Sequence, residues 1–180
     1  MNLKLFITGR PGIGKTTTLL KVYRELKRRG IKVGGFITKE VRRGGVREGF
    51  EIISLTYDLK GILASKGAVI GPKLGSYRVN LRDLNEVGVK SVRDALGNSQ
   101  VIIIDEIGPM ELFSEEFRKV VEDAVRSAKP LIASVHRKVV NGRWFRDLVG
   151  NYAKVITVTL NNRDKIPDVI LKEILPYIKR

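Results

Sequence analysis

Cysteine is absent from this sequence, which excludes disulfides and thiolate metal sites. Histidine occurs once, at His136, too few imidazoles for a zinc site without cysteine. No apolar run approaches the ~18 residues that a bilayer span needs, and no signal-peptide pattern stands ahead of the first strand. The expectation is a cytoplasmic protein with no membrane contact. Acid is scarce: 19 Asp and Glu stand against 34 Lys and Arg, a net charge of +15. Aromatics make up only 7% of the chain and do not interleave with basic residues in one tract. The positive charge therefore reads as solvated helix faces around a site for a polyanionic nucleotide, rather than as a track for nucleic acid. Nucleic acid stays an alternative partner on charge alone.

The chain has 180 residues, 43% of them hydrophobic, enough for one substantial core. The expectation is one domain over 1–180, with a β-rich insertion over roughly 38–80. Oligomeric state is not legible, and a monomer is the simplest reading.

The most informative stretch is Gly9-Arg-Pro-Gly-Ile-Gly-Lys15-Thr16, which matches G-x-x-x-x-G-K-[ST]. Gly9, Gly12 and Gly14 free the backbone for turns in which successive N–H groups point at one anion. Lys15 brings a mobile positive charge to the outer phosphates, and the Thr16 hydroxyl can ligate Mg²⁺. Context supports the motif. An apolar run over 3–8 reads as a strand, and Leu19, Val22, Tyr23 and Leu26 recur at helical spacing up to a cap at Gly30. The helix start adds its positive dipole end to the same anion site.

Val101-Ile-Ile-Ile104 is a run of β-branched residues that reads as a central strand buried on both faces. It ends in Asp105 and Glu106, at the carboxyl edge where open α/β sheets bind ligands. Asp105 fits the metal-holding carboxylate, directly or through water, and Glu106 fits the group that orients or deprotonates the attacking water.

Between these motifs the pattern predicts a strand over 33–39, a hairpin over 38–57, further β segments at 62–65 and 76–80, a loop over 67–75, and a helix over 81–96. Beyond Asp105, Ser114 caps a helix that Pro130 closes off, followed by a strand over 131–135, a short helix over 144–149, a strand over 154–160 and a helix over 166–178. Strands alternating with helices after a glycine loop mean a parallel sheet covered on both faces.

Other candidates are weaker. His136 ends the 131–135 strand near the same sheet edge and could sense the γ-phosphate, although a structural histidine serves as well. Asn161-Asn-Arg-Asp164 has a partial likeness to the guanine-reading N-K-x-D pattern, so Asn162 and Arg163 are candidates for the nucleotide base; a turn and helix cap explain the same residues. Arg42, Arg43, Arg47 and Arg78 could reach phosphate, or be exposed hairpin charges.

Taken together, Gly9 to Thr18, Gly35-Phe-Ile-Thr38, Asp105-Glu-Ile-Gly-Pro-Met-Glu111 and Asn162-Arg-Asp164 resemble the THEP1-type nucleoside-triphosphatases over nearly the whole chain. The Asp105 to Glu111 run is the specific part. The resemblance implies an α/β P-loop NTPase fold: a RecA-like three-layer sandwich with a mostly parallel central sheet and a β-hairpin extension. It implies Mg²⁺-dependent hydrolysis of ATP, GTP and other NTPs with loose base preference. It further implies that Gly9, Arg10, Pro11, Gly12, Ile13, Gly14, Lys15, Thr16 and Thr17 line the nucleotide, together with Ile103, Ile104, Asp105, Glu106, Ile107, Gly108, Pro109 and Met110. Lys15 and Glu106 would be catalytic, and Thr16 and Asp105 would hold the metal. A nucleotide or small-molecule kinase is the rival enzyme, because the same glycine loop suits one; a nucleic-acid-associated ATPase switch is the rival outside metabolism.

Overall fold

The computed structural model describes residues 2–179. The chain opens with β1 (Lys4–Thr8), and α1 (Lys15–Arg28) follows the glycine loop. Next come β2 (Val33–Arg43), β3 (Val46–Ser54), β4 (Lys60–Ser65), β5 (Lys73–Leu74) and β6 (Tyr77–Val79). A helical segment then runs from α2 (Leu81–Asp83) through a π-helical turn, Leu84–Val89, into α3 (Lys90–Asn98). The remainder is β7 (Val101–Ile107), α4 (Glu115–Arg126), β8 (Leu131–Val135), α5 (Arg137–Val140), α6 (Arg143–Val149), β9 (Ala153–Thr157) and α7 (Ile166–Ile174).

All strands join one sheet in the order β5-β6-β4-β3-β2-β7-β8-β1-β9. The block β2-β7-β8-β1-β9 is parallel, and β3, β4, β6 and β5 continue it as an antiparallel extension. Strand alternation sorts side chains to two faces. Phe6, Ile102, Ile104, Leu131 and Ala133 pack with α3, α4 and α6. Leu5, Ile7, Val101, Ile103 and Ile132 pack with α1 and α7. The result is the three-layer α/β P-loop architecture expected, with β8 interposed between the strand that carries the glycine loop and the strand that carries Asp105. Among the described residues no helix is long and apolar enough to cross a membrane.

Several boundaries differ from the sequence reading. The hairpin's second strand starts at Val46 and ends at Ser54, because Ser54 turns the chain by accepting from the N–H groups of Thr56 and Tyr57. The expected loop over 67–75 contains the two-residue strand Lys73–Leu74. The strand expected over 154–160 stops at Thr157; Val158 donates to the Thr8 carbonyl at 2.8 Å, and the chain then turns. The last helix tightens at Leu175–Tyr177, where Pro176 lacks the N–H that an α-helix needs. Gly88, which weakens the helix signal, has a packing reason: a β-carbon there would stand 2.6 Å from Cδ1 of Ile52.

Outside the phosphate loop, Gly35 is a position where packing and backbone both call for glycine. Gly35 pairs with Ile103 across β2 and β7 at a φ of 107°, and a β-carbon there would lie 1.9 Å from the Ile103 carbonyl oxygen. A side chain would prise β2 from β7 just below the site. Gly35→Ala is therefore expected to cost about 3 kcal/mol in denaturant unfolding, the upper range for overpacking plus backbone strain; a loss near zero would contradict this packing.

Candidate active site

The parallel block brings the carboxyl ends of β1, β2, β7 and β8 together, and each contributes. Between β1 and α1 the glycine loop takes left-handed turns at Gly12 (φ 77°) and Gly14 (φ 110°), conformations that residues with a β-carbon disfavour. Gly14 is also the N-cap of α1. Ile13, 2% exposed, pins the loop to the core on the α1 face.

Asp105 is the hub of the site. It is 1% exposed, yet both oxygens are engaged. Ser134 on β8 donates to Oδ1 at 2.6 Å. Thr16 on α1 donates to Oδ2 at 2.8 Å, and Thr38 on β2 gives Oδ2 its N–H at 3.2 Å and its hydroxyl at 3.3 Å. Burial raises the Asp105 carboxyl above its ordinary range, and the hydrogen bonds from Ser134, Thr16 and Thr38 oppose that rise.

Lys15 lies in the mouth of the loop. Its Nζ donates to the Gly9 carbonyl at 2.9 Å and the Arg10 carbonyl at 3.4 Å, and stands 3.8 Å from Oε2 of Glu106. Burial pushes the Glu106 carboxyl up to about 7, against the pull of Lys15 and with a further push from Asp105. A carboxylate poised near neutrality suits proton abstraction.

Ile103 and Ile104 are fully buried in β7, and Ile107 closes the strand. Gly108, Pro109 and Met110 then turn toward the short helical turn Glu111–Phe113. His136 borders this turn: its N–H donates to the Ile107 carbonyl at 3.0 Å, and its Cβ lies 3.5 Å from where a Gly108 β-carbon would be. Its Nδ1 accepts from the Lys138 N–H at 3.1 Å, so the neutral ring carries its proton on Nε2. Burial, then the charges of Lys15, Lys138 and Arg137, lower its pKa.

On the other flank a cleft of about 280 Å³ is lined by Gly12, Ile13, Gly14, Thr17, Thr18, Lys21, Arg163 and Asp164. Arg163 thus stands beside the loop. Asn162 is occupied within its own turn, donating to the Thr157 carbonyl and accepting from the Thr159 N–H. The hairpin arginines are also engaged locally: Arg42 with Glu40 and the Gly45 carbonyl, Arg43 with Glu48, Arg47 with Glu40 and Tyr77, and Arg78 with the Gly71 carbonyl.

The donor set fits magnesium. Thr16 gives its proton to Asp105, which leaves its oxygen lone pairs facing outward, and the neighbouring donors are hard oxygens. Among the described residues no three His, Cys, Asp or Glu side chains cluster as a metal cage.

Comparison with known proteins settles the family. A family model described as NTPase matches residues 4–171. The chain is 45% identical to the nucleoside-triphosphatase THEP1 of Thermofilum pendens, over 97% of this chain and 96% of that protein. It is 45% identical to the nucleoside-triphosphatase THEP1 of Methanocaldococcus jannaschii, over 98% of this chain and all of that one. This chain belongs to the THEP1 nucleoside-triphosphatase family. Solved relatives share its fold: THEP1 of Aquifex aeolicus, with a TM-score of 0.80 at 34% identity, covers 96% of this chain and 99% of its own. A human cancer-related nucleoside triphosphatase, with a TM-score of 0.82 at 31% identity, covers 98% of this chain and all of its own.

Three residues of this THEP1-family site escape a motif search. Thr38 closes the Gly35 to Thr38 run that carries part of the resemblance, but nothing local gives it a role; Ser134 is a polar residue near the end of an apolar strand, and that interruption is its sequence signal. Glu111 lies inside the Asp105 to Glu111 run but has no assigned part in it. Ser134 is fully buried and serves one oxygen of a buried carboxylate. Ser134→Ala is expected to lower unfolding stability by about 1–3 kcal/mol, the usual cost of an orphaned buried acceptor; an unchanged denaturation midpoint would show that another donor fills the place.

Proposed function

We propose that this chain hydrolyses ATP, GTP and other nucleoside triphosphates to the diphosphate and phosphate, with Mg²⁺ and with little discrimination between bases. The observation that carries the reading is the convergence of α1 and β7 at one mouth: Lys15 beside Glu106 at 3.8 Å, and Thr16 tied to Asp105 at 2.8 Å. The loop N–H groups and Lys15 hold the β- and γ-phosphates and offset the charge of a loose transition state. Glu106 takes the proton of a water as its oxygen bonds to the γ-phosphorus. The bond to the β–γ bridging oxygen breaks, and the diphosphate departs with that electron pair. Thr16 and Asp105 would hold Mg²⁺, which when bound supplies charge neutralisation at the bridging phosphates.

The flank supports a loose base preference. Arg163 and Asp164 line it, but the Asn162 amide that could read a base edge is engaged in its turn. Water rather than a second substrate is the favoured acceptor, because the hairpin arginines that a kinase lid would use are held in ion pairs with Glu40 and Glu48. A cytoplasmic location belongs to the same reading, supported by a cysteine-free chain built around a nucleotide site.

The test is acceptor-free phosphate release from ATP, GTP, CTP and UTP. All four are expected to be cleaved, and chelation of Mg²⁺ is expected to stop the reaction. Lys15→Ala should lower kcat by about 10²–10³-fold, the range for one charge-stabilising contact. Glu106→Gln should bind nucleotide as before but cleave it at a comparably reduced rate. Normal turnover by Glu106→Gln would remove Glu106 as the base.

A further inference from the structure

Glu111 is a buried acid that the reaction as drawn does not use. It is 4% exposed, and among the described residues no Lys, Arg or His pairs with it. It opens the short helical turn after β7, which Leu112 closes by donating to the Gly108 carbonyl at 3.0 Å. The N–H groups of Gly108 and of Glu111 itself lie near its carboxyl and pull it toward the ionised form. Two carboxyl groups meet over Gly108: a β-carbon there would lie 2.9 Å from Oε1 of Glu106 and 2.9 Å from Oε2 of Glu111. Those oxygens are therefore within twice that distance of each other.

The two oxygens of Glu106 thus have different neighbours. Oε2 faces Lys15 at 3.8 Å, on the phosphate side. Oε1 faces Gly108 and Glu111. Two ionised carboxylates this close, one of them buried without a cation, would repel strongly and forfeit hydration. The arrangement is stable when the more deeply buried partner is the neutral acid, and a neutral carboxyl has one hydrogen to give. Burial, then the nearby Glu106 carboxylate, favour that form of Glu111 and outweigh the N–H groups of Glu111 and Gly108, which favour the ionised one.

We propose that Glu111 is a positioning residue for hydrolysis: it donates a hydrogen bond to Oε1 of Glu106, directly or through one water, and so holds Oε2 toward Lys15 and the attacking water. The acid remains for orientation and at a cost in stability, since a buried polar group of this kind is often replaced by an apolar isostere with no loss of stability. The proposal rests on Glu106 being the base.

The test compares Glu111→Met and Glu111→Gln with the parent enzyme, using the intact chain, ATP and Mg²⁺. Glu111→Met fills the same space without a donor. It is expected to melt at the same or a higher temperature, to keep KM for ATP, and to lose kcat by about 10–100-fold, the scale of a misaligned catalytic group. Glu111→Gln keeps a neutral donor and should stay within about threefold of the parent kcat, since its amide can make the same bond. In a Glu106→Gln background, Glu111→Met should add no further loss, because the two act as one unit. Parent-like kcat in Glu111→Met overturns the proposal. So does a protein that fails to fold, a loss confined to KM, or losses that multiply in the double variant. Parent-like turnover by Glu106→Gln alone is the separate failure of the base assignment and removes this proposal with it. A Glu106→Gln loss beside an unaffected Glu111→Met leaves the base in place and rejects only the positioning role.

Discussion

The hydrogen bonding of one buried carboxylate holds the site together. Asp105 accepts from α1 through Thr16, from β2 through Thr38 and from β8 through Ser134. Those three elements are far apart in sequence. An uncompensated carboxylate at that depth would cost several kcal/mol, so the requirement to satisfy it ties glycine loop, hairpin and central strands to one geometry. The same bonds leave the outward lone pairs of Thr16 available to a cation. What stabilises the carboxylate also shapes the phosphate site.

The acids at this edge are unevenly supported, and the unevenness divides their work. Asp105 has several donors and serves as an anchor. Glu106 has one distant lysine and a pKa near 7, which suits a group that must take a proton. Glu111 is buried and, among the described residues, has no cation, which suits a group that keeps its proton. Three carboxyls within one strand end and the following turn would repel as three anions; as anchor, base and neutral brace they coexist. The basic surface contributes little to this balance, since Lys15 is the cation that pairs with Glu106 and the hairpin arginines are committed elsewhere.

The parts of this arrangement that repeat along the chain were legible in the sequence. The glycine loop, the apolar strands and the helix faces follow from spacing, and Asp105 and Glu106 follow from a run of β-branched residues ending in two acids. The parts that depend on cross-strand register were not. Thr38 reaches Asp105 because β2 lies against β7, and Ser134 because β8 lies on the other side. Neither adjacency is written in local pattern. Strands end before the apolar pattern does where a side chain turns the backbone early, as Ser54 does for β3. Asn162 shows the opposite limit: its residue type suggests a base contact, whereas its amide belongs to a turn. Residue type does not say where a side chain's bonding capacity is already used.

The central claim is that Glu106 prepares the water. The most direct measurement is a high-resolution structure with Mg²⁺, ADP and a planar fluoride mimic of the transferring phosphoryl group. The account predicts a water in line with the mimic and within about 2.6–3.2 Å of Oε2 of Glu106, the reach of a general base. A water held there by another group, with Glu106 turned away from it, would contradict the account.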